Sequence, residues 1–304
     1  MTCPTLVVVL GTTACGKSGL GVELAKRFQG EIVSADSRQV YRGLDLGTGK
    51  ITPEEMEGVP HHMLDVVDPD QPYSVADFQQ GAYGAIDGIL KRGKLPFLVG
   101  GTGLYVRAVT EGFSFVDVPP DPALRASLEG QNAEALYALW QAETGGELNE
   151  SERRNRQRLI RLVEKARMGG GEAPCQPRYH CLLLGVTYPR EEVCRRIDQR
   201  LRRRLDNGMI EEVAALRAAG VSDGFLEGLG LEYRYLLWYL TGKLDSRAAL
   251  EDALGRAIKR FAKRQMAWFR RDREVLWLDM TDNPVEQAAQ AITAFLQTAP
   301  EGTE

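Results

Sequence analysis

Eight residues near the start of the chain limit its fold more than any others: Gly11-Thr12-Thr13-Ala14-Cys15-Gly16-Lys17-Ser18. They satisfy G-x-x-x-x-G-K-[ST]. A short β-branched apolar run at residues 4–10 (PTLVVVL) precedes them, and a helical pattern at residues 18–28 follows. In that strand–loop–helix context, glycines let backbone N–H groups turn inward around an anion, and the helix N-terminus adds partial positive charge. Lys17 contributes a full charge, and the Ser18 hydroxyl is placed to ligate Mg²⁺. Such a chain binds a diphosphate or polyphosphate, and the run before the loop reads as a strand buried on both faces of a parallel sheet.

Further strands are expected at residues 31–35, 95–99 (LPFLV, running into Gly100-Gly101-Thr102-Gly103), 182–186 and 275–278, with a closing helix at 283–297. Strands alternating with helices predict an α/β fold, a P-loop doubly wound parallel sheet. The texture changes between about residues 115 and 179. Pro119-Pro120-Asp121-Pro122 breaks the chain, charged helical patterns follow, and Gly169-Gly170-Gly171 reads as a loop. The expected organisation is a catalytic core of residues 1–114 and 180–304 with a helical insertion at 115–179.

At 304 residues, 43% hydrophobic and 26% charged, the chain has globular composition with room for one large domain or two small ones. A formal net charge of −4 gives no whole-molecule sign of nucleic-acid binding. Arginines nevertheless crowd into residues 153–167, 190–204 and 256–273, which favours a basic surface on an acidic body over three solvated helix faces. The five cysteines, Cys3, Cys15, Cys175, Cys181 and Cys194, are odd in number and form no C-x-x-C pair, which fits reduced thiols in the cytoplasm. His61, His62 and His180 are too scattered for a metal cluster. No apolar stretch approaches the roughly 20 residues of a membrane span, and residues 1–10 read as a strand rather than a signal peptide.

A nucleotide-hydrolysing P-loop protein carries an acid at the end of a second apolar strand to hold Mg²⁺. Residues 95–99 lead instead into glycines and a threonine. The well-placed acid is Asp36, in Ser34-Ala35-Asp36-Ser37, at the carboxyl end of the second strand where ligands collect in parallel sheets. From its position Asp36 contacts Mg²⁺, takes a proton from a nucleophile, or merely caps a turn.

Five segments together resemble the tRNA dimethylallyltransferase family: residues 11–18, SADSRQVYRGLDLGTGK at 34–50, PHHMLDVVDPDQPYSVADF at 60–78, LVGGTGLYVRA at 98–108 and KRFAKRQMAWFR at 259–270. NRQRLIRLVE at 155–164 is a weaker sixth, and the set runs in family order over most of the chain. The resemblance implies that the P-loop residues Gly11, Thr12, Thr13, Ala14, Cys15, Gly16, Lys17 and Ser18 bind the diphosphate of dimethylallyl diphosphate. It implies transfer of the prenyl group to N6 of the adenine 3′ of the anticodon, position 37 of tRNA. Asp36 then matches the general base, Thr13 and Lys17 the diphosphate contacts, Ser18 the Mg²⁺-binding hydroxyl, and Thr102 a residue near the tRNA substrate. Asp36, Ser37, Arg38 and Gln39, and Gln157, Arg158, Leu159, Ile160 and Arg161, match segments that touch the anticodon loop. The resemblance implies neither a membrane nor an obligate protein partner.

The chain departs from the family at three points. Thr12 and Cys15 replace a common proline and serine. Gly228-Leu229-Gly230-Leu231-Glu232-Tyr233-Arg234 stands where many relatives read Gly-Tyr-Arg or Gly-Tyr-Lys, which leaves Arg234 only a candidate for the arginine that assists diphosphate departure. The zinc-finger extension of eukaryotic relatives is absent from the last 40 residues, which contain neither Cys nor His. A small-molecule or nucleotide kinase, a prenyltransferase acting on free AMP, and a non-catalytic RNA-binding module are the competing readings.

Overall fold

The structure is a computed structural model and describes residues 3–115, 121–148, 150–168 and 175–298. Two compact units divide the chain: Met1–Gly112 with Pro177–Glu304, and Phe113–Gln176. The first unit opens with β1 (Thr5–Gly11), α1 (Lys17–Arg27), β2 (Glu31–Ala35), α2 (Pro53–Met56), β3 (His61–His62), α3 (Val75–Lys91), β4 (Pro96–Gly100) and α4 (Gly103–Thr110). The second holds α5 (Pro122–Leu128), α6 (Ala133–Thr144), α7 (Glu150–Arg153) and α8 (Arg156–Arg167). The first resumes with β5 (His180–Thr187), α9 (Arg190–Asp206), α10 (Met209–Ala218), α11 (Asp223–Leu229) and α12 (Leu231–Leu240). It ends with α13 (Arg247–Phe269), β6 (Leu276–Asp279) and α14 (Pro284–Thr298).

The six strands form one sheet in the order β3-β2-β4-β1-β5-β6, and every pairing is parallel. The composition of β1 follows from its place. Leu6, Val8 and Leu10 enter one core, with Phe78, Ile86 and residues of α9 to α13. Val7 and Val9 enter the other, with Leu20, Val22 and Leu24 of α1 and Ala288, Ala289 and Ile292 of α14. Side chains alternate between faces with period two, so a strand covered on both faces must be apolar throughout. The sheet is doubly wound as the sequence predicts, and each strand expected from the sequence is present within two residues of its expected bounds. β3 was not expected: two residues, pairing Ile32 with His61 and Val33 with His62, are too short for any periodic signal.

The smaller unit has its own core of Leu128, Leu136, Trp140, Leu159 and Val163. Asp121 caps α5 by accepting from the Leu124 N–H (3.0 Å), and Pro122 takes the first helical position. Fully buried Glu164 accepts from Arg125, Arg161 (3.0 Å) and the Asp121 N–H (3.0 Å). Burial pushes its carboxyl up, but these donors prevail and hold it at about 2. Pro119, Pro120 and the expected loop at residues 169–171 lie outside the described residues.

Candidate active site

The P-loop joins β1 to α1 with Gly16 at the N-cap. Gly16 is in the left-handed region (φ 84°), which an L side chain resists, and no side chain caps the helix there. The first-turn N–H groups are therefore available to an anion. Within the loop, Cys15 is fully buried and its Sγ donates to the Thr12 carbonyl (2.8 Å), while Thr12 is itself buried. Their side chains fix the turn and do not face a ligand, so of these two residues only the backbone can serve the cradle expected at 11–18. Thr13, Lys17 and Ser18 line a cavity of about 630 Å³ together with Asp36, Ser37, Arg38, Gln39 and Thr102.

Asp36 follows directly on β2, and its Oδ1 accepts from the Arg38 N–H (2.9 Å). This is a short Asx turn rather than a helix cap, so the carboxylate stays at the sheet edge. The end of β4 locks the segment in place: the Thr102 N–H donates to the Ala35 carbonyl (3.2 Å), and the Thr102 hydroxyl accepts from the Ser37 N–H (3.0 Å). Gly100 permits that approach, because a Cβ there would lie 2.2 Å from the Ala35 carbonyl oxygen. Farther along the loop, Glu212 of α10 accepts from the Asp45, Leu46 and Gly47 N–H groups and from the Tyr233 hydroxyl (2.9 Å).

Two helices from the far end of the chain close on the P-loop, and the sequence reading missed both contacts. Gln265 of α13 accepts from the Thr13 N–H (2.9 Å) and donates to the Gly101 carbonyl (2.8 Å), bridging the P-loop and the end of β4. On α9, Arg196 donates to the Ala14 carbonyl (2.9 Å), and Arg200 donates to the Thr13 hydroxyl. Burial first, then the neighbouring Arg204, push Arg200 down to about 9, against the opposing charges of Glu232 and Asp36. Arg196, Arg200 and Arg204 recur every four residues, the spacing of one helix face. That periodicity was the available signal. Arg234 also lines the cavity, with its Nε donating to the Glu227 carbonyl (3.1 Å).

The cavity has an apolar wall as well: Val99, Leu231, Ile258, Phe261, Trp268 and Phe269. Beside it α13 carries Arg260, Lys263 and Arg264 and, just after its end, Arg270 and Arg271, all exposed, and none of them has an ion pair among the described residues. In the smaller unit, Gln157 is exposed, Arg158 pairs with Glu152 (2.5 Å), Arg161 pairs with Glu164, and Ile160 packs at the edge of the core. Within the segment expected to touch RNA, the Leu159 side chain is fully buried in that core because α8 turns its apolar stripe inward, so it offers an RNA only its backbone. Among the described residues no group of three or more His, Cys, Asp or Glu is placed to hold a metal, and no helix is long and apolar enough to cross a membrane.

The family model described as IPP transferase matches residues 39–272, and that described as isopentenyl transferase matches residues 4–68. The tRNA dimethylallyltransferase of Treponema pallidum (strain Nichols) is 43% identical over 290 residues, covering 91% of this chain and 92% of that protein. The chain belongs to the tRNA dimethylallyltransferase family. Another family member, tRNA dimethylallyltransferase 1 of Geotalea daltonii, is 43% identical with 93% of each chain covered. The crystal structure of the full-length tRNA isopentenylpyrophosphate transferase of Bacillus halodurans superposes with a TM-score of 0.75 at 37% identity, covering 96% of this chain and 97% of that one. A eukaryotic dimethylallyltransferase, crystallised acting on tRNA, shares the fold at a TM-score of 0.80 and 24% identity, over 99% of this chain and 81% of that one.

Proposed function

We propose that the protein transfers the dimethylallyl group of dimethylallyl diphosphate to N6 of adenine 37, next to the tRNA anticodon, and releases diphosphate. The observation that carries this reading is one cavity with two characters. Lys17, Arg200 and the P-loop backbone form a cationic end, Asp36 stands beside them, and an apolar and aromatic wall completes the space. A prenyl diphosphate needs both ends of such a pocket. The wall also gives an extruded adenine a surface to stack on, since a base in the anticodon-loop stack cannot otherwise reach the donor.

Adenine N6 is a weak nucleophile because its lone pair is delocalised into the ring. Asp36 accepts an N6 proton as the bond to the prenyl carbon forms. Charge develops on the departing diphosphate, where Lys17, Arg200 and the loop N–H groups stabilise it. The Ser18 hydroxyl and the Asp36 carboxylate are hard oxygen donors in the same cavity, a set that suits Mg²⁺ held mainly by diphosphate oxygens and water. Bound there, the ion would supply countercharge to the leaving group. The free cysteines suit work in the reducing cytoplasm.

The test is incubation with unmodified tRNA, Mg²⁺ and either dimethylallyl diphosphate or ATP, followed by mass analysis of nucleosides for one added prenyl unit. The end of β4 at Gly100, with Gly101-Thr102 beyond it, supplies no acid to hold Mg²⁺ against a γ-phosphate. The expected result is prenylated tRNA, strong inhibition by pyrophosphate, little inhibition by excess ATP, and no ATP hydrolysis with or without tRNA. Stoichiometric ATP consumption with phosphate on an acceptor would replace the transferase by a kinase.

The same reading assigns the tRNA grip chiefly to the exposed cations of α13. Alanines at Arg260, Lys263 and Arg264 are expected to weaken tRNA binding and reduce its log–log salt slope by about two to three units, a little under one per lost phosphate contact. The same change at Arg154, Arg158 and Arg161 is expected to reduce the slope less, because these residues already pair with Glu150, Glu152 and Glu164. Salt-dependent tRNA binding measures both triple variants, and a larger fall in the second would move the grip to the helical insertion.

A further inference from the structure

The pocket holds a second carboxylate that the chemistry above does not use. Glu232 sits in the first turn of α12 and lines the same cavity as Thr13, Asp36 and Arg200. Across from it, Arg200 and Arg204 lie one turn apart on α9. Arg200 reaches the Thr13 hydroxyl. The Arg204 guanidinium is pressed against the loop after β2, where a Cβ on Gly49 would fall 1.3 Å from its Nη2. Two guanidiniums at that spacing repel each other, and burial pushes both below the usual arginine range. For each of them Glu232 is the largest opposing charge. No side-chain hydrogen bond or ion pair joins Glu232 to either arginine among the described residues, so its influence is that of a charge through space.

We propose that Glu232 sets the charge of the diphosphate pocket, offsetting the Arg200–Arg204 pair so that the inorganic diphosphate left after transfer is held loosely enough to leave. The inference rests on the pocket being a diphosphate site, as proposed above. Five cations, Lys17, Arg38, Arg200, Arg234 and Arg264, line the cavity against two carboxylates, Asp36 and Glu232, a surplus of three. Neutralising Glu232 raises the surplus to four. An anion bound on the P-loop is then held more tightly, whereas loss of a merely structural side chain would weaken binding or leave it unchanged.

The experiment is calorimetric titration of the full chain with inorganic pyrophosphate in Mg²⁺, comparing wild type with Glu232→Gln and Glu232→Asp. Glu232→Gln is expected to bind pyrophosphate roughly five- to tenfold more tightly, the scale of one unit charge acting across partly solvated protein. Glu232→Asp, which keeps the charge, is expected to stay near wild type. Glu232→Gly, which removes the charge without bulk, takes the place of the glutamine variant if that chain does not fold.

The pH dependence adds a readout specific to charge. The groups facing the Glu232 carboxyl are Arg204 and Arg200 of α9, Asp36 beyond β2, and its own N–H at the start of α12. Burial outweighs the cations and raises it. It therefore becomes neutral before an ordinary glutamate as pH falls, so the gap between wild type and the neutral variant should close as pH falls, beginning above the usual glutamate range. The ligand's own titration cancels in that ratio. Equal or weaker pyrophosphate binding by a folded neutral variant overturns the proposal, as does equal tightening in Glu232→Asp. A wild-type chain that does not bind pyrophosphate at all overturns instead the reading of the pocket as a diphosphate site.

Discussion

Lys17→Ala is expected to abolish measurable prenyl transfer while leaving tRNA affinity nearly unchanged. Lys17 opens α1 and lines the pocket, its Nζ lying 3.4 Å from the Thr12 carbonyl, and it is the full positive charge of the P-loop itself. A donor aimed at charge that develops in the transition state is worth about 10²–10³-fold in rate when removed. Here a larger loss is expected, because in the proposed site the same ammonium also fixes the diphosphate in the ground state. On the proposed reading the tRNA grip lies elsewhere, on exposed cations such as Arg260 and Lys263, so binding and turnover should separate. Steady-state kinetics with a tRNA gel shift reads both, and prenylation by the variant within a few-fold of wild type would remove Lys17 from the diphosphate site.

Asp36→Asn is expected to slow the chemical step by about 10²-fold or more, the usual scale for loss of a general base. The amide keeps the size of the side chain, and its oxygen can still accept from the Arg38 N–H, so the turn at the end of β2 should survive. What is lost is the capacity to take the N6 proton. Single-turnover rates at saturating tRNA and dimethylallyl diphosphate isolate that step. A variant whose rate recovers fully at high donor concentration would instead make Asp36 a ligand of the metal–diphosphate group, with the base elsewhere.

What could be read from the chain and what could not divides along physical lines. β1 was legible because burial on both faces leaves only apolar side chains, and the P-loop because phosphate binding demands glycine, lysine and a hydroxyl at fixed spacing. Asp36 was legible from where parallel strands end. The arginines of α9 were visible, but their charge density resembles a surface that grips a phosphodiester backbone. Only packing shows Arg196 and Arg200 turned onto the P-loop. Gln265 gave no signal: it is one amide in a basic helix, and its partner Thr13 lies 252 residues away in sequence. Glu232 looked like a local departure from the family pattern, and its relation to Arg200 and Arg204 exists only across the pocket.

The amide of Gln265 also bears on when this protein becomes competent. It accepts from one side of the site and donates to the other, a pairing that neither glutamate nor lysine reproduces. On the ribosome, the P-loop, β2 and β4 are made long before α13. Until α13 is made the emerging chain has the P-loop without its Gln265 bridge, and until α9 is made it also lacks Arg196 and Arg200. Synthesis order thus works as a timer: the growing polypeptide cannot complete the bridge across the proposed diphosphate site until nearly all of it has been made.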